Sequence, residues 1–216
     1  MLIKDTKFIK SAASKEGFLD GGRMEIAVAG KSNVGKSSFI NMLVNRNHAA
    51  RVSNTPGRTR LVNYFDVLTD KGEFVLTDLP GYGFAKVSKE EKANWGKLME
   101  GYFETVGNVR VFVLIDIRHG PSYDDIGLIE YLYFKAVPFY IVANKSDKLS
   151  RSQIQKAKKE IAATLKTGDA NIIVVSSLKK TGREDVLDVV ERLMTESLEV
   201  ESGELKVESG ELKVEK

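Results

Sequence analysis

Eight residues set the chemistry. Gly30-Lys31-Ser32-Asn33-Val34-Gly35-Lys36-Ser37 fit the spacing G-x-x-x-x-G-K-[ST]. Gly30 and Gly35 allow backbone conformations that a β-carbon forbids, so successive amide N–H groups can turn inward and form a nest for phosphate oxygens. Lys36 adds a point charge for the outer phosphates of a nucleotide, and the Ser37 hydroxyl is an oxygen ligand for Mg²⁺. The stretch lies between an apolar β-forming run, 24–29, and an apolar run of helical length, 38–44, so that Ser38 enters the first helical turn. Strand, glycine loop and helix bring a helix N-terminus, with its free N–H groups and dipole, to the anion.

Four later stretches carry chemistry that fits the same ligand. Gly57-Arg58-Thr59 lie in TPGRT, where the Thr59 hydroxyl can complete a Mg²⁺ shell when a γ-phosphate is present. Asp78-Leu79-Pro80-Gly81 follow a strand-like run; Asp78 can hold Mg²⁺ through a water, and the Gly81 N–H can bond the γ-phosphate. When that phosphate leaves, both contacts vanish and both loops loosen. Asn144-Lys145-Ser146-Asp147 follow another strand; the Asp147 carboxylate can accept from guanine N1–H and its exocyclic amine. Adenine offers no such pair and would leave a buried acceptor unpaired. Asn144 and Lys145 brace that loop, and Ser176-Ser177-Leu178 offer backbone N–H groups to guanine O6. Each of these motifs is weak alone, and their order makes the signal strong. They point to GTP, with Lys36, Thr59 and Gly81 as the groups nearest the reacting phosphate.

The elements that must position these loops follow from periodicity. Runs at 61–68 and 73–77 read as strands joined by an Asp70-Lys71-Gly72 turn. Residues 109–116 and 138–143 are nearly continuous apolar strands, as expected in a sheet covered on both faces, and 171–175 is a further strand. Helices are expected over 88–106, 122–135, 150–165 and 181–194, with Ser88/Glu91, Ser150/Gln153 and Thr181/Glu184 as capping pairs. Trp95, Leu98, Met99, Tyr102, Phe103 and Val106 recur at helical spacing and read as core. Strands alternating with helices imply an α/β fold: a six-stranded, mostly parallel sheet with one antiparallel edge strand and helices on both faces. Ligands bind beyond the carboxyl ends of such strands, where the motifs fall.

Three regions follow: an N-terminal extension, 1–23, with Phe8 and Phe18 as anchors; a nucleotide domain, 24–194; and a flexible acidic tail, 195–216, in which VESGELK occurs twice. The 216 residues and 42% apolar content suit one soluble domain with a real core. The absence of cysteine excludes disulfides and thiol chemistry and is compatible with a reducing cytoplasm, and no run is long enough for a membrane span. The tail holds seven glutamates and three lysines, a net of −4, so the overall +3 leaves +7 on the body. A basic body suggests an anionic partner, with nucleic acid first.

The residues KSAAS, EIAVAGKSNVGKSSFIN, NTPGRTR, LTDLPGYGFAKVS and DIRHGP together resemble the EngB family of translation-factor-class GTPases over about residues 5–194. The resemblance implies a Ras-like P-loop GTPase fold, a GDP/GTP switch using Mg²⁺, a monomer acting on the assembling large ribosomal subunit, and a link to cell division and septation. In related GTPases an Asn at the position of Asn33 coordinates K⁺. Where related switches carry a water-positioning Gln, this chain has Tyr82, which implies slow intrinsic turnover. Lys31 and Asn144 stand where the family often has Arg and Thr. Arg46, Arg51, Arg58 and Arg60, with Lys86, Lys89, Lys92 and Lys97, are candidate contacts to rRNA beside the two switch loops; Arg58 or Arg60 could instead act as a cis arginine finger. The alternative is a protein-binding regulator of the division machinery that never touches RNA.

Overall fold

The computed structural model describes residues 1–19, 22–46, 61–83 and 89–202. The strands are β1 (Ile3–Ala12), β2 (Glu25–Gly30), β3 (Val62–Thr69), β4 (Glu73–Asp78), β5 (Val109–Asp116), β6 (Phe139–Asn144) and β7 (Ile172–Val174). The α-helices are α1 (Lys36–Leu43), α2 (Lys89–Thr105), α3 (Tyr123–Phe134), α4 (Arg151–Leu165) and α5 (Arg183–Ser202). The strands form one sheet in the order β1-β3-β4-β2-β5-β6-β7. β4, β2, β5, β6 and β7 are mutually parallel, while β3 runs antiparallel to both β4 and β1. The α/β class, the parallel centre and the hairpin are as the sequence predicts.

Seven strands stand where six were expected, and the edge is different. The N-terminal extension supplies β1, which covers β3 and becomes the edge itself. Its mixed composition hid it: among its ten residues only Thr6 and Ala12 are buried, so no apolar alternation marks it. Lys4 and Lys7 stand exposed along it, a common guard against edge-to-edge pairing. Phe18 is buried edge-on to Tyr102, as an anchor should be. Phe8 is not buried: it is 59% exposed and touches Phe65 only edge-on.

The tail also begins later than expected. α5 does not end at Met194 but continues to Ser202, because no breaker occurs before Gly203. Ser197 is buried there and accepts from Asn108 Nδ2 at 2.8 Å. The repeats beyond 202 lie outside the described residues, as does Ser88, the predicted cap of α2. At α4 the predicted cap pair forms: the Ser150 N–H donates to Gln153 Oε1 at 2.8 Å, and Gln153 N–H returns to Ser150 Oγ.

Alternation splits the central strands between two cores. Ala27 and Ala29 face the cluster built with α2, α3 and α4; Ile26 and Val28 face the one built with α1 and α5. One carboxyl interrupts the first core. Glu25, 3% exposed, accepts from Thr77 Oγ1 at 2.6 Å and from the Tyr102 hydroxyl, joining β2, β4 and α2. Burial pushes its pKa up, outweighing the two hydrogen bonds that favour the anion. A raised carboxyl pKa contributes stability that is complete below the ordinary glutamate value and is lost as pH rises through the folded value. Glu25→Gln keeps an acceptor without a charge, so its stability relative to the parent should improve from pH 4 to pH 8. Glu25→Ala leaves two hydroxyls unpaired and should cost about 2–4 kcal/mol. Urea unfolding of both variants across that pH range checks the pair of outcomes.

Candidate functional site

Gly30 ends β2, Asp78 ends β4, Asp116 ends β5 and Asn144 ends β6, so the loops that follow these parallel strands gather at one end of the sheet. The phosphate loop runs from Gly30 into α1. Gly35 is left-handed at φ 99°, and a β-carbon there would meet Asn144 Nδ2 at 2.6 Å. Asn33 is also left-handed, at φ 65°. The turn is fastened by Val34 N–H to Lys31 C=O at 3.1 Å and by Phe39 N–H to Gly35 C=O at 2.8 Å.

Two polar features face this loop. The buried Lys36 ammonium pairs with Asp78, itself buried at the end of β4. An ammonium has three donors, so the lysine keeps capacity for phosphate oxygens. The Ser32 hydroxyl is buried without a hydrogen-bond partner among the described residues. A β-carbon on Gly81 would approach that hydroxyl to 3.1 Å. The unpartnered oxygen and the close glycine fit a site shaped for polar atoms from outside the chain. Ser37 and Ser38 are half-buried in the first turn of α1.

The stretch after Pro80 lies over the phosphate loop. Lys31 and Tyr82 form an isolated parallel bridge, and the Ser32 N–H donates to the Tyr82 carbonyl at 2.8 Å. Tyr82 is held elsewhere too. Its hydroxyl donates to Asp125 Oδ1 at 2.7 Å, and its ring meets Trp95 edge-on at 5.3 Å. Trp95 in turn donates to the Pro80 carbonyl at 3.0 Å. Asp125 also caps α3, its Oδ2 accepting from the Ser122 N–H and hydroxyl at 2.7 and 2.6 Å. Burial and the neighbouring Asp125 carboxylate push the Tyr82 phenol well above its ordinary pKa.

The loops after β6 and β7 meet on Asn144. Its Nδ2 donates to Val34 C=O at 3.1 Å, while its Oδ1 accepts from Lys145 N–H, Ser177 N–H and the Ser177 hydroxyl. Ser146 N–H donates to Val175 C=O at 3.1 Å, fixing the same two loops by backbone. Asp147 is oriented by the Ser176 hydroxyl at 2.6 Å, which lowers its pKa, with Lys148 adding to the effect. Lys145, left-handed at φ 68°, donates through Nζ to Asn33 C=O at 2.7 Å. Leu178 is exposed beside this loop.

The structure therefore brings together the residues from Gly30 to Ser38, Asp78 to Gly81, Asn144 to Asp147 and Ser176 to Leu178. Gly57, Arg58, Thr59, Arg51, Arg60 and Lys86 lie outside the described residues; Lys89 and Lys92 fall on α2 with side chains that are not described. Arg46 is tied back to β1 by Nη1 to the Thr6 carbonyl at 3.0 Å and by an ion pair with Asp5. Sequence reasoning missed Asp116, Arg118 and Asp125 as site residues. The signal for Asp116 was its place as the last residue of a buried strand; Asp125 had only a capping pattern.

The family model described as a 50S ribosome-binding GTPase matches residues 25–145. A probable GTP-binding protein EngB of Clostridium beijerinckii is 47% identical over 190 residues, covering 87% of this chain and 94% of that protein. The chain belongs to the EngB family of GTP-binding proteins. Another EngB relative, from Mycoplasma mycoides subsp. mycoides SC, is 42% identical over 195 residues, covering 89% of this chain and 98% of its own. A crystal structure of a probable GTP-binding protein EngB aligns with a TM-score of 0.61 at 20% identity, over 80% of this chain and 99% of that one. Era in complex with MgGDPNP and a segment of 16S ribosomal RNA aligns with a TM-score of 0.63 at 21% identity, over 79% of this chain and 56% of Era. At such identities the solved structures speak for the fold, which is Ras-like. As a member of the EngB family the chain is a GTPase.

The Ser176–Asp147 bond makes a pH prediction for nucleotide binding. The bond lowers the Asp147 pKa, so recognition that needs the anion persists as pH falls and is lost only below the ordinary aspartate value. In Ser176→Ala the acid limb of GDP binding should move to higher pH, with affinity at pH 7 reduced by about threefold to tenfold for one charged hydrogen bond. Calorimetric titration with GDP between pH 4 and pH 8 reads both effects.

Proposed function

We propose that this GTPase is a cytoplasmic, monomeric GTP/GDP switch with slow intrinsic hydrolysis, that it acts in assembly of the large ribosomal subunit, and that normal division and septation depend on it. The observation that carries the switch is the seating of the Asp78–Tyr82 segment on the phosphate loop, through the Ser32–Tyr82 backbone bond and the Lys36–Asp78 pair. A γ-phosphate arriving beside Lys36 and Gly81 competes for both contacts, so the segment has a reason to differ between GDP and GTP. Residues 30–38 hold phosphates in this reading, 57–59 and 78–81 sense the last one, and 144–147 with 176–178 hold guanine.

Ser37, Asp78 and Thr59 are a fitting donor set for Mg²⁺: few, hard oxygens beside phosphates that supply more. Bound there, Mg²⁺ neutralises charge on the β- and γ-oxygens. Asn33 is assigned to a K⁺ ion in the same reading. In the hydrolytic step water attacks the γ-phosphorus, the bond to the bridging oxygen breaks, and GDP and phosphate leave. Lys36 stabilises the charge shifting onto the phosphate oxygens, and the Gly81 N–H holds the γ-phosphate in line. Tyr82 gives no help with the water. Its hydroxyl is committed to Asp125 and its pKa is raised, so it stays a protonated donor and does not accept a proton from the water. Single-turnover hydrolysis by the isolated protein should therefore be slow, on the order of 10⁻³ s⁻¹ or below as for an unassisted switch, and faster in KCl than in NaCl. Rapid turnover without a partner, or equal rates in the two salts, would remove those two elements respectively.

The ribosomal reading is supported by the family model's description and by where charge lies. Residues 148–180 hold eight Lys and Arg against two acids, a net of +6 of the body's +7. Among the described residues the ion pairs made by these eight are Lys148–Asp147 and the exposed Lys156–Glu160, which leaves Arg151 and Lys159 on α4 and Lys166 at its C-terminal cap exposed, with Lys158 half-buried between them. A polyanion is the partner such a face suits. Co-sedimentation with 50S subunits should be stronger with a non-hydrolysable GTP analogue than with GDP, and should weaken steeply from 50 to 200 mM salt. Binding indifferent to nucleotide and salt rejects the reading; a tight protein partner with no ribosome association supports the division-regulator alternative.

A further inference from the structure

β5 ends beside β6, with Asp116 in register with Asn144. The chain then turns through Arg118. Asp116 is gripped from two sides. Arg118 donates from Nε to Oδ1 at 2.9 Å and from Nη2 to Oδ2 at 2.6 Å, a two-pronged contact that fixes the carboxylate plane. Lys145 Nζ stands 2.9 Å from Oδ2. The same Nζ donates to the Asn33 carbonyl at 2.7 Å. Side-chain exposure is 15% for Asp116, 26% for Lys145 and 36% for Arg118, so the carboxylate is partly shielded while its two partners border solvent.

A lysine has four rotatable side-chain bonds, and a single neutral carbonyl is a weak hold on it. Asp116 supplies the second, charged hold. The line of contacts Arg118–Asp116–Lys145–Asn33 crosses from the end of β5, through the base-reading loop, to the phosphate loop. We propose that Asp116 is a positioning residue for nucleotide retention: by fixing Lys145 it makes the guanine pocket and the phosphate loop one rigid unit, and so slows nucleotide release. The inference rests on the guanine-nucleotide reading of the site. A purely local role is the competing account, since Asp116 also takes the Arg118 N–H at 3.1 Å within its own turn.

The test is the release rate of fluorescent GDP from the full chain, followed by stopped flow, for the parent, Asp116→Asn, Lys145→Gln and the double variant. Asp116→Asn should release GDP about tenfold faster, the scale of coupling within one charged network. In the Lys145→Gln background the same change should add less than about twofold, because Asp116 acts through that lysine. Asp116→Glu, which can still reach Nζ, should recover part of the loss. Arg118→Gln, which leaves the carboxylate in place but frees its plane, should speed release by a few-fold and serves where Asp116→Asn does not fold. Equal release in the parent and Asp116→Asn, or a full tenfold effect in both Lys145 backgrounds, overturns the proposal, as does a release rate that tracks a fall in Tm of the nucleotide-free protein across all variants. A parent that releases labelled GDP no more slowly than labelled ADP overturns the guanine reading itself.

Discussion

One buried carboxamide holds three loops in place. Asn144 is 1% exposed, and both ends of its amide are in use: Nδ2 on the phosphate loop at Val34, Oδ1 on Lys145 and Ser177. A buried amide with all its groups paired orients what it touches, because each lost partner leaves a desolvated polar atom behind. It also explains one glycine. With Asn144 Nδ2 2.6 Å from where a β-carbon at 35 would lie, the loop must take its left-handed turn with a bare α-carbon. The phosphate loop and the loops after β6 and β7 are thus held by opposite ends of one side chain, and none of them shifts without breaking a buried hydrogen bond.

The parallel sheet makes such a meeting possible. β2, β5 and β6 are adjacent and parallel: Gly30 pairs with Leu114, and Asp116 and Asn144 pair two residues further on, so the turns after these strands open at the same end of the sheet. The core beneath is close to continuous: β2 is buried throughout, and β5 is buried apart from Arg110 and Asp116. Interiors of this density transmit position faithfully. The exception, Glu25, lies at the start of β2, at the opposite end of the strand from Gly30, and ties α2 to the sheet. Since α2 also supplies Trp95 to Pro80, the helix that braces the switch segment is itself pinned at its far end by a buried acid.

What was legible in the sequence was what chemistry forces to be local. The phosphate loop declares itself by its spacing, while Asp78 at the end of its strand and Asn144 to Asp147, each weak alone, become legible by their order after it. The central strands are legible because burial on both faces leaves an apolar run. β1 was illegible for the opposite reason: an edge strand with two buried residues needs no pattern, only a neighbour, and β3 is fifty residues away in the chain. Arg46 read as a surface cation because nothing local reveals that Asp5 and the Thr6 carbonyl wait for it. Asp116 and Asp125 were missed likewise, since their partners Lys145 and Tyr82 come from loops 29 and 43 residues distant. The extension of α5 past Met194 follows from the lack of a breaker before Gly203 and is fastened by the buried Ser197, whose partner Asn108 no local pattern reveals.

Tyr82 is committed to structure. In the place where a switch benefits from a mobile, water-holding amide, this chain has a large ring at 6% exposure. The ring is in the core with Trp95 and the hydroxyl is on Asp125, so moving Tyr82 toward a phosphate means breaking a buried hydrogen bond and exposing apolar surface together. Gly83 sharpens the constraint. It is left-handed at φ 72°, and a β-carbon there would collide with the stem of Lys31 at 2.7 Å, so the chain leaves Tyr82 by a single narrow exit against the phosphate loop. An element held this firmly moves only by breaking these contacts together. In the proposed switch, the free energy that moves this segment has to come from the nucleotide or from the surface the protein docks on.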